Sequence, residues 1–176
     1  MNINAFKEKI IWSFWTGDNE MSAVRRHALF VLRETCGCNN LLITPDFLKE
    51  FEVEDDPFHE GYPFLSFTHR SDYLRSYFMY HYGGAYSDIK PYSFDWSPYF
   101  AQLEESDKDF IGAQEACEEH VASDDPLIRQ AYNKLASVTV FIYKPKSPFA
   151  KLWKDATKVK MDSILEELRL HDGSYH

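Results

Sequence analysis

A three-layer α/β domain with a mainly parallel central sheet is the fold class this sequence predicts, on three observations. Short apolar runs rich in β-branched and aromatic residues alternate with segments whose apolar residues recur at helical spacing. Repeated strand–helix–strand order favours parallel pairing, with helices on both faces of the sheet. The 176 residues, 44% hydrophobic and 16% aromatic, suit one domain spanning 1–176 with a substantial core.

The elements follow in order. Ile10-Ile11-Trp12-Ser13-Phe14-Trp15 reads as a buried strand that stops at the turn Thr16-Gly17-Asp18-Asn19. Ser22 caps a helix carrying Val24, Ala28, Val31 and Leu32, which Gly37 ends. Asn40 to Thr44 is a second strand, and Pro45 opens a short helix with Phe47, Leu48 and Phe51. Glu52 to Tyr62, acidic and broken by a proline and a glycine, reads as a solvated loop. From Ser66 to Tyr82, Leu74, Phe78 and Tyr82 sit four apart on a helix that stops at Gly83-Gly84. Ala85 to Ile89 is a short strand before Pro91. Phe110–Ala113 and Val138–Tyr143 are further strands. Helices are predicted over Leu127–Ala136, Pro148–Thr157 and Asp162–Leu170, the second capped by Ser147. Trp96, Tyr99 and Phe100 read as a hydrophobic anchor. His171 to His176 close no recognisable element, which fits a fragment of a longer protein.

Charge and composition narrow the partners. Against 28 Asp and Glu stand 19 Lys and Arg, a formal net charge of −9 that disfavours nucleic acid and anionic membranes. Small phosphorylated ligands stay open, because a compact pocket is screened from distant surface charge. No apolar run approaches the ~20 residues of a membrane span, and Met1 to Lys9 lack a signal peptide's hydrophobic stretch. The expected location is the cytoplasm, with Cys36, Cys38 and Cys117 as free thiols. His59, His69, His81 and His120 show no metal-ligand spacing.

Ser71 to Lys90 carries the chemistry. Asp72 and Arg75, three apart on a helix, share one face. From Arg75 to Tyr82 the helix climbs roughly 10 Å, the glycines permit a reversal, and an extended Gly84 to Asp88 returns about 13 Å. Asp88 therefore comes back to the level of Asp72 and Arg75, and Lys90 follows on the same face if the strand persists. Arg75 and Lys90 suit phosphate oxygens, and Asp88 suits a sugar hydroxyl or a divalent cation. The plainer alternative is a helix-surface ion pair beside an ordinary strand end.

Asp72-x-x-Arg75, the aromatic helix, Gly83-Gly84-x-Tyr86 and Asp88 together resemble the donor-site core of GT-A glycosyltransferases, especially family 32 and the capsular polysaccharide synthesis enzymes. The first strand, ending Trp15-Thr16-Gly17, is similar to theirs, with Trp12 where relatives often carry histidine. The resemblance implies a three-layer α/β/α nucleotide-diphospho-sugar transferase fold. It implies transfer of a hexose from a nucleotide-diphosphate sugar, by family habit a UDP-sugar, to a glycan or polysaccharide acceptor hydroxyl, with retention at the anomeric carbon. Trp15 would stack on the base, and Asp72 and Arg75 would contact donor sugar and phosphate; read from the residues alone, Thr16-Gly17 offers backbone amides, Gly84 and Asp88 join the candidate donor contacts, and Tyr86 either packs under the sugar or is simply core. Asp88, Arg75 and Lys90 would carry catalysis, and Asp88 would be the first aspartate of an Asp-x-Asp motif that holds Mn2+ or Mg2+. Lys90 stands where the second aspartate belongs. Three outcomes follow: Lys90 itself stabilises the leaving diphosphate, Asp88 holds a metal together with the diphosphate and another carboxylate such as Asp95 or Glu115, or the chain is a non-catalytic nucleotide-sugar-binding domain or truncated pseudoenzyme.

Overall fold

A computed structural model describes residues 3–121 and 123–171. Of the closing six residues, 172–176 lie outside that range. The strands are β1 (Ile10–Phe14), β2 (Asn39–Ile43), β3 (Gly84–Ser87), β4 (Phe110–Gln114) and β5 (Ala136–Tyr143). The helices are α1 (Ala23–Thr35), α2 (Pro45–Leu48), α3 (Phe67–His81), α4 (Ser97–Glu104), α5 (Pro126–Gln130), α6 (Pro148–Ser163) and α7 (Leu165–Leu168). No helix among the described residues is long and apolar enough to cross a membrane.

The sheet order is β2-β1-β3-β5-β4, and β1 runs parallel to β2 and to β3. Four of the five strands run the same way and β5 alone is reversed, antiparallel to both β3 and β4, so the sheet is mixed rather than purely parallel. The cause is the connection before β5. Its base is pinched shut where Gln114 pairs with Ala136 and Glu115 N–H donates to Leu135 O at 3.0 Å, so β5 starts where β4 ends and must run back.

Alternation along the strands sends residues to two helical layers. Trp12, Phe14, Tyr86, Phe141 and Tyr143 face α3 and α6, whose Tyr73, Tyr77, Phe78, Ala150 and Met161 complete one core. Ile11, Ala85, Val140 and Ile142 face α1 and α4 through Leu32, Cys36, Phe100 and Leu103. Trp12 is wholly buried, edge-on to Phe78 at 5.0 Å, and its indole N–H donates to Gly83 O at 2.8 Å. That bond fastens the reversal between α3 and β3, where Gly83 and Gly84 take φ of +63° and +84°.

The Ser22 and Ser147 hydroxyls cap α1 and α6 as their positions predict, and the Ser66 hydroxyl caps α3 in the same way. Other boundaries moved. The helix expected over Leu127–Ala136 is the short α5 followed by a 3-10 turn at Tyr132–Lys134, because Ala136 is already in β5 and Leu127 finds no core. The helix from Pro148 runs on to Ser163, absorbing the start of the one expected from Asp162. The anchor is buried, with Trp96 just before an unexpected helix, α4, and Phe100 on it, while Tyr99 is exposed.

Candidate functional site

The C-terminal ends of β1 and β3 lie side by side, since Trp12 pairs with Tyr86, and the loops leaving them converge at one edge of the sheet. In open α/β sheets this is the edge at which ligands bind. The Ser13 hydroxyl ties the strand ends by donating to Ser87 O at 3.0 Å. The Thr16 hydroxyl donates to Phe67 O at 2.6 Å and so fastens the β1–α1 loop to the first turn of α3.

Asp72, Arg75, Tyr86, Asp88 and Lys90 form one unbroken chain of contacts. Arg75 pairs with Asp72 one helical turn away and donates to Val138 O of β5. Its guanidinium lies 5.1 Å from the centre of the Tyr86 ring, a cation–π distance. Arg75 is 9% exposed, and its Nε has no hydrogen-bond partner among the described residues. The Tyr86 ring is stacked between Phe14 at 5.4 Å and Phe141 at 5.3 Å. Its hydroxyl donates to Asp88 Oδ1 at 2.7 Å and lies 3.2 Å from the Ser71 hydroxyl. Burial pushes the Tyr86 hydroxyl well above the ordinary phenol range, with Asp88 adding to the rise, so it stays protonated as a donor.

The other Asp88 oxygen, Oδ2, lies 3.1 Å from Lys90 Nζ. The expectation that Lys90 follows along the strand is corrected: β3 ends at Ser87, and a tight turn from Lys90 N–H to Asp88 O at 2.8 Å swings Lys90 back. Arg25, which the sequence reading passed over, reaches this turn from the first turns of α1 and donates from Nη1 to Ile89 O at 2.6 Å. Its signal was a basic residue just inside the helix that follows the first strand, where backbone N–H groups attract anions. Trp15 packs on Ala28, Leu29 and Ile89 beside this turn, half-buried, with its indole N–H on Asn19 O at 2.8 Å.

Gly84 stands at the far end of β3. A Cβ there would meet Ile10 O at 2.7 Å, so its place in the motif is to let the strand pass close to β1. A cleft of ≈ 650 Å³ opens beside Asp72 and Arg75, between α3, β5 and α6, with His69, Val138, Trp153 and Lys160 in its wall.

The partners considered for a metal on Asp88 are not beside it. Asp95 Oδ1 accepts from Ser97 N–H at the start of α4 and lies against Gly37, at the edge of the sheet where β1 and β2 begin, opposite Asp88. Glu115 shares an edge with Asp88, yet Asp88 N–H bonds Thr139 O while Glu115 N–H bonds Leu135 O. That separates them by four residues of β5, about 13 Å, whereas ligands of one cation lie within about 5 Å of one another. Among the described residues no group of three or more His, Cys, Asp and Glu side chains is placed to hold a metal. With both Asp88 oxygens engaged by Tyr86 and Lys90, the residues present do not fit the metal site that an Asp-x-Asp motif provides. His59 and His81 instead pair with Asp162 and Asp56, both at 2.9 Å.

No curated protein and no solved structure matches the chain. A family model described as the glycosyltransferase sugar-binding region containing the DXD motif matches residues 18–91. The match covers less than half of the chain and includes Arg25, Asp72, Arg75, Tyr86, Asp88 and Lys90, with Trp15 and Thr16 outside it. The match supports a glycosyltransferase-related function.

Proposed function

We propose that this edge of the sheet binds a nucleotide-diphosphate sugar, with a UDP-hexose as the donor class, and transfers the hexose to a glycan hydroxyl with retention, as in family 32. One observation carries the reading: the contacts running Asp72–Arg75–Tyr86–Asp88–Lys90 at the C-terminal end of β3, within the matched region. Trp15 stacks on the base, the Thr16 loop faces the phosphates, and Asp72 and Asp88 take sugar hydroxyls. The wide cleft beside Arg75 receives sugar and acceptor.

In the reaction the bond between the anomeric carbon and the β-phosphate oxygen breaks, and the acceptor oxygen bonds that carbon. The acceptor proton passes to the departing diphosphate, so nucleoside diphosphate and glycoside account for every atom. Negative charge grows on the diphosphate as the bond breaks, so cations placed there lower the barrier more than contacts made equally in the ground state. Arg75 and Lys90 fill that role, with Asp88 orienting Lys90.

Calorimetric titration of UDP, GDP and their sugar conjugates tests the reading. One nucleotide is expected to bind wild type and to lose about tenfold or more in affinity in Arg75→Ala. Absence of binding by every nucleotide would refute it. Lys90, a lysine where a carboxylate is expected, favours a second reading as a binding domain without turnover. Release of nucleoside diphosphate over time, with and without a glycan acceptor, separates the two.

A further inference from the structure

We infer that Lys90, supported by Arg25, takes the place of a divalent cation in this site, so that the chain neutralises a diphosphate with its own side chains; this rests on the donor-site reading above. Three observations carry it. Lys90 Nζ lies 3.1 Å from Asp88 Oδ2 and so sets a positive charge against the carboxylate that a motif cation would use. A lysine ammonium has three protons, so a single bond to Asp88 leaves two for phosphate oxygens, and the side chain is 43% exposed and open to them. Arg25, anchored on Ile89 O between the two residues, adds a second cation from another element.

Charge counting points the same way. Arg25, Arg75 and Lys90 against Asp72 and Asp88 leave one positive charge around the strand end. An aspartate at position 90 would leave one negative charge, and a bound divalent ion would bring that back to one positive. The lysine and the acid–metal pair therefore present a diphosphate with the same total. They differ in that the ammonium is covalently tethered and cannot be removed by a chelator.

The test is calorimetry with UDP and GDP, each in Mn2+ and in excess EDTA, on wild type, Lys90→Asp and Arg25→Gln, with thermal melts to verify folding. Wild type is expected to bind with affinities that agree within about threefold in the two conditions. Lys90→Asp is expected to lose about 100-fold in EDTA and to recover most of it in Mn2+, and nucleotide-free Lys90→Asp should bind Mn2+ by electron paramagnetic resonance where wild type does not. Arg25→Gln should lose about tenfold in both conditions. If Lys90→Asp fails to fold, the wild-type titration and Arg25→Gln still decide the matter. Wild-type binding that depends on Mn2+ would overturn this inference while leaving the donor site standing. Absence of binding by either nucleotide in both conditions would overturn the donor site and this inference with it.

Discussion

Tyr86→Phe isolates the bond that orients Asp88. Phenylalanine keeps the stack between Phe14 and Phe141 and the surface beneath Arg75, so the change removes only the hydroxyl. What is lost is a 2.7 Å bond to a carboxylate and a 3.2 Å contact with Ser71. A hydrogen bond to a charged group is worth about 1.5–3 kcal/mol, and water reaches the Asp88 side chain, which is 27% exposed, to offset part of that. The expected cost in folding stability is about 1–2 kcal/mol. Urea unfolding of wild type, Tyr86→Phe, Asp88→Ala and the double variant measures it, with a coupling of about 1 kcal/mol between the two sites. Nucleotide affinity should fall by about tenfold in Tyr86→Phe, because Asp88 and the Lys90 it holds lose their fixed position. A coupling of about zero would show that the hydroxyl does not hold Asp88. Unchanged nucleotide affinity alongside a real coupling would confine the bond to folding.

Further outcomes follow from the same contacts. His81 is held below the usual histidine range by burial first and then by Lys146, although Asp56 opposes the shift, so the native protein prefers it neutral. The unfolded chain takes up that proton near pH 6.5, so stability should fall as pH drops below about 6.5, by at most about 1.4 kcal/mol per unit. His81→Gln should flatten that slope in urea titrations. Burial disfavours the Asp56 charge, but its bonds from Lys154 and His81 outweigh this and keep the carboxyl below the usual range, so its contribution is lost only in more acid solution. Gly84→Ala adds a Cβ 2.7 Å from Ile10 O at a φ of +84° and should cost about 2–4 kcal/mol by thermal melting. Arg75→Lys keeps the charge but loses the planar fork that joins Asp72, Val138 O and the Tyr86 face, and should weaken nucleotide binding about tenfold while charge alone is conserved.

Local chemistry was legible in the chain. The Ser22 and Ser147 caps, the Gly83–Gly84 reversal and the apolar strand runs at Ile10–Phe14 and Val138–Tyr143 depend on neighbours within a few residues, and they appear where the sequence places them. The return of Asp88 to Arg75 was legible for the same reason, since one helix, one turn and one strand of known rise fix it. Tertiary structure decided what involves partners distant in sequence. The direction of β5 depends on which end of β4 its connection returns to, which hydrophobic period does not encode. Arg25 enters the site through a carbonyl 64 residues away, and Asp95 and Glu115 leave it because packing sends one to the opposite edge of the sheet and the other beyond β5. Lys90 was visible as a substitution, but its grip on Asp88 comes from the tight turn just past the end of β3, where Lys90 N–H bonds Asp88 O.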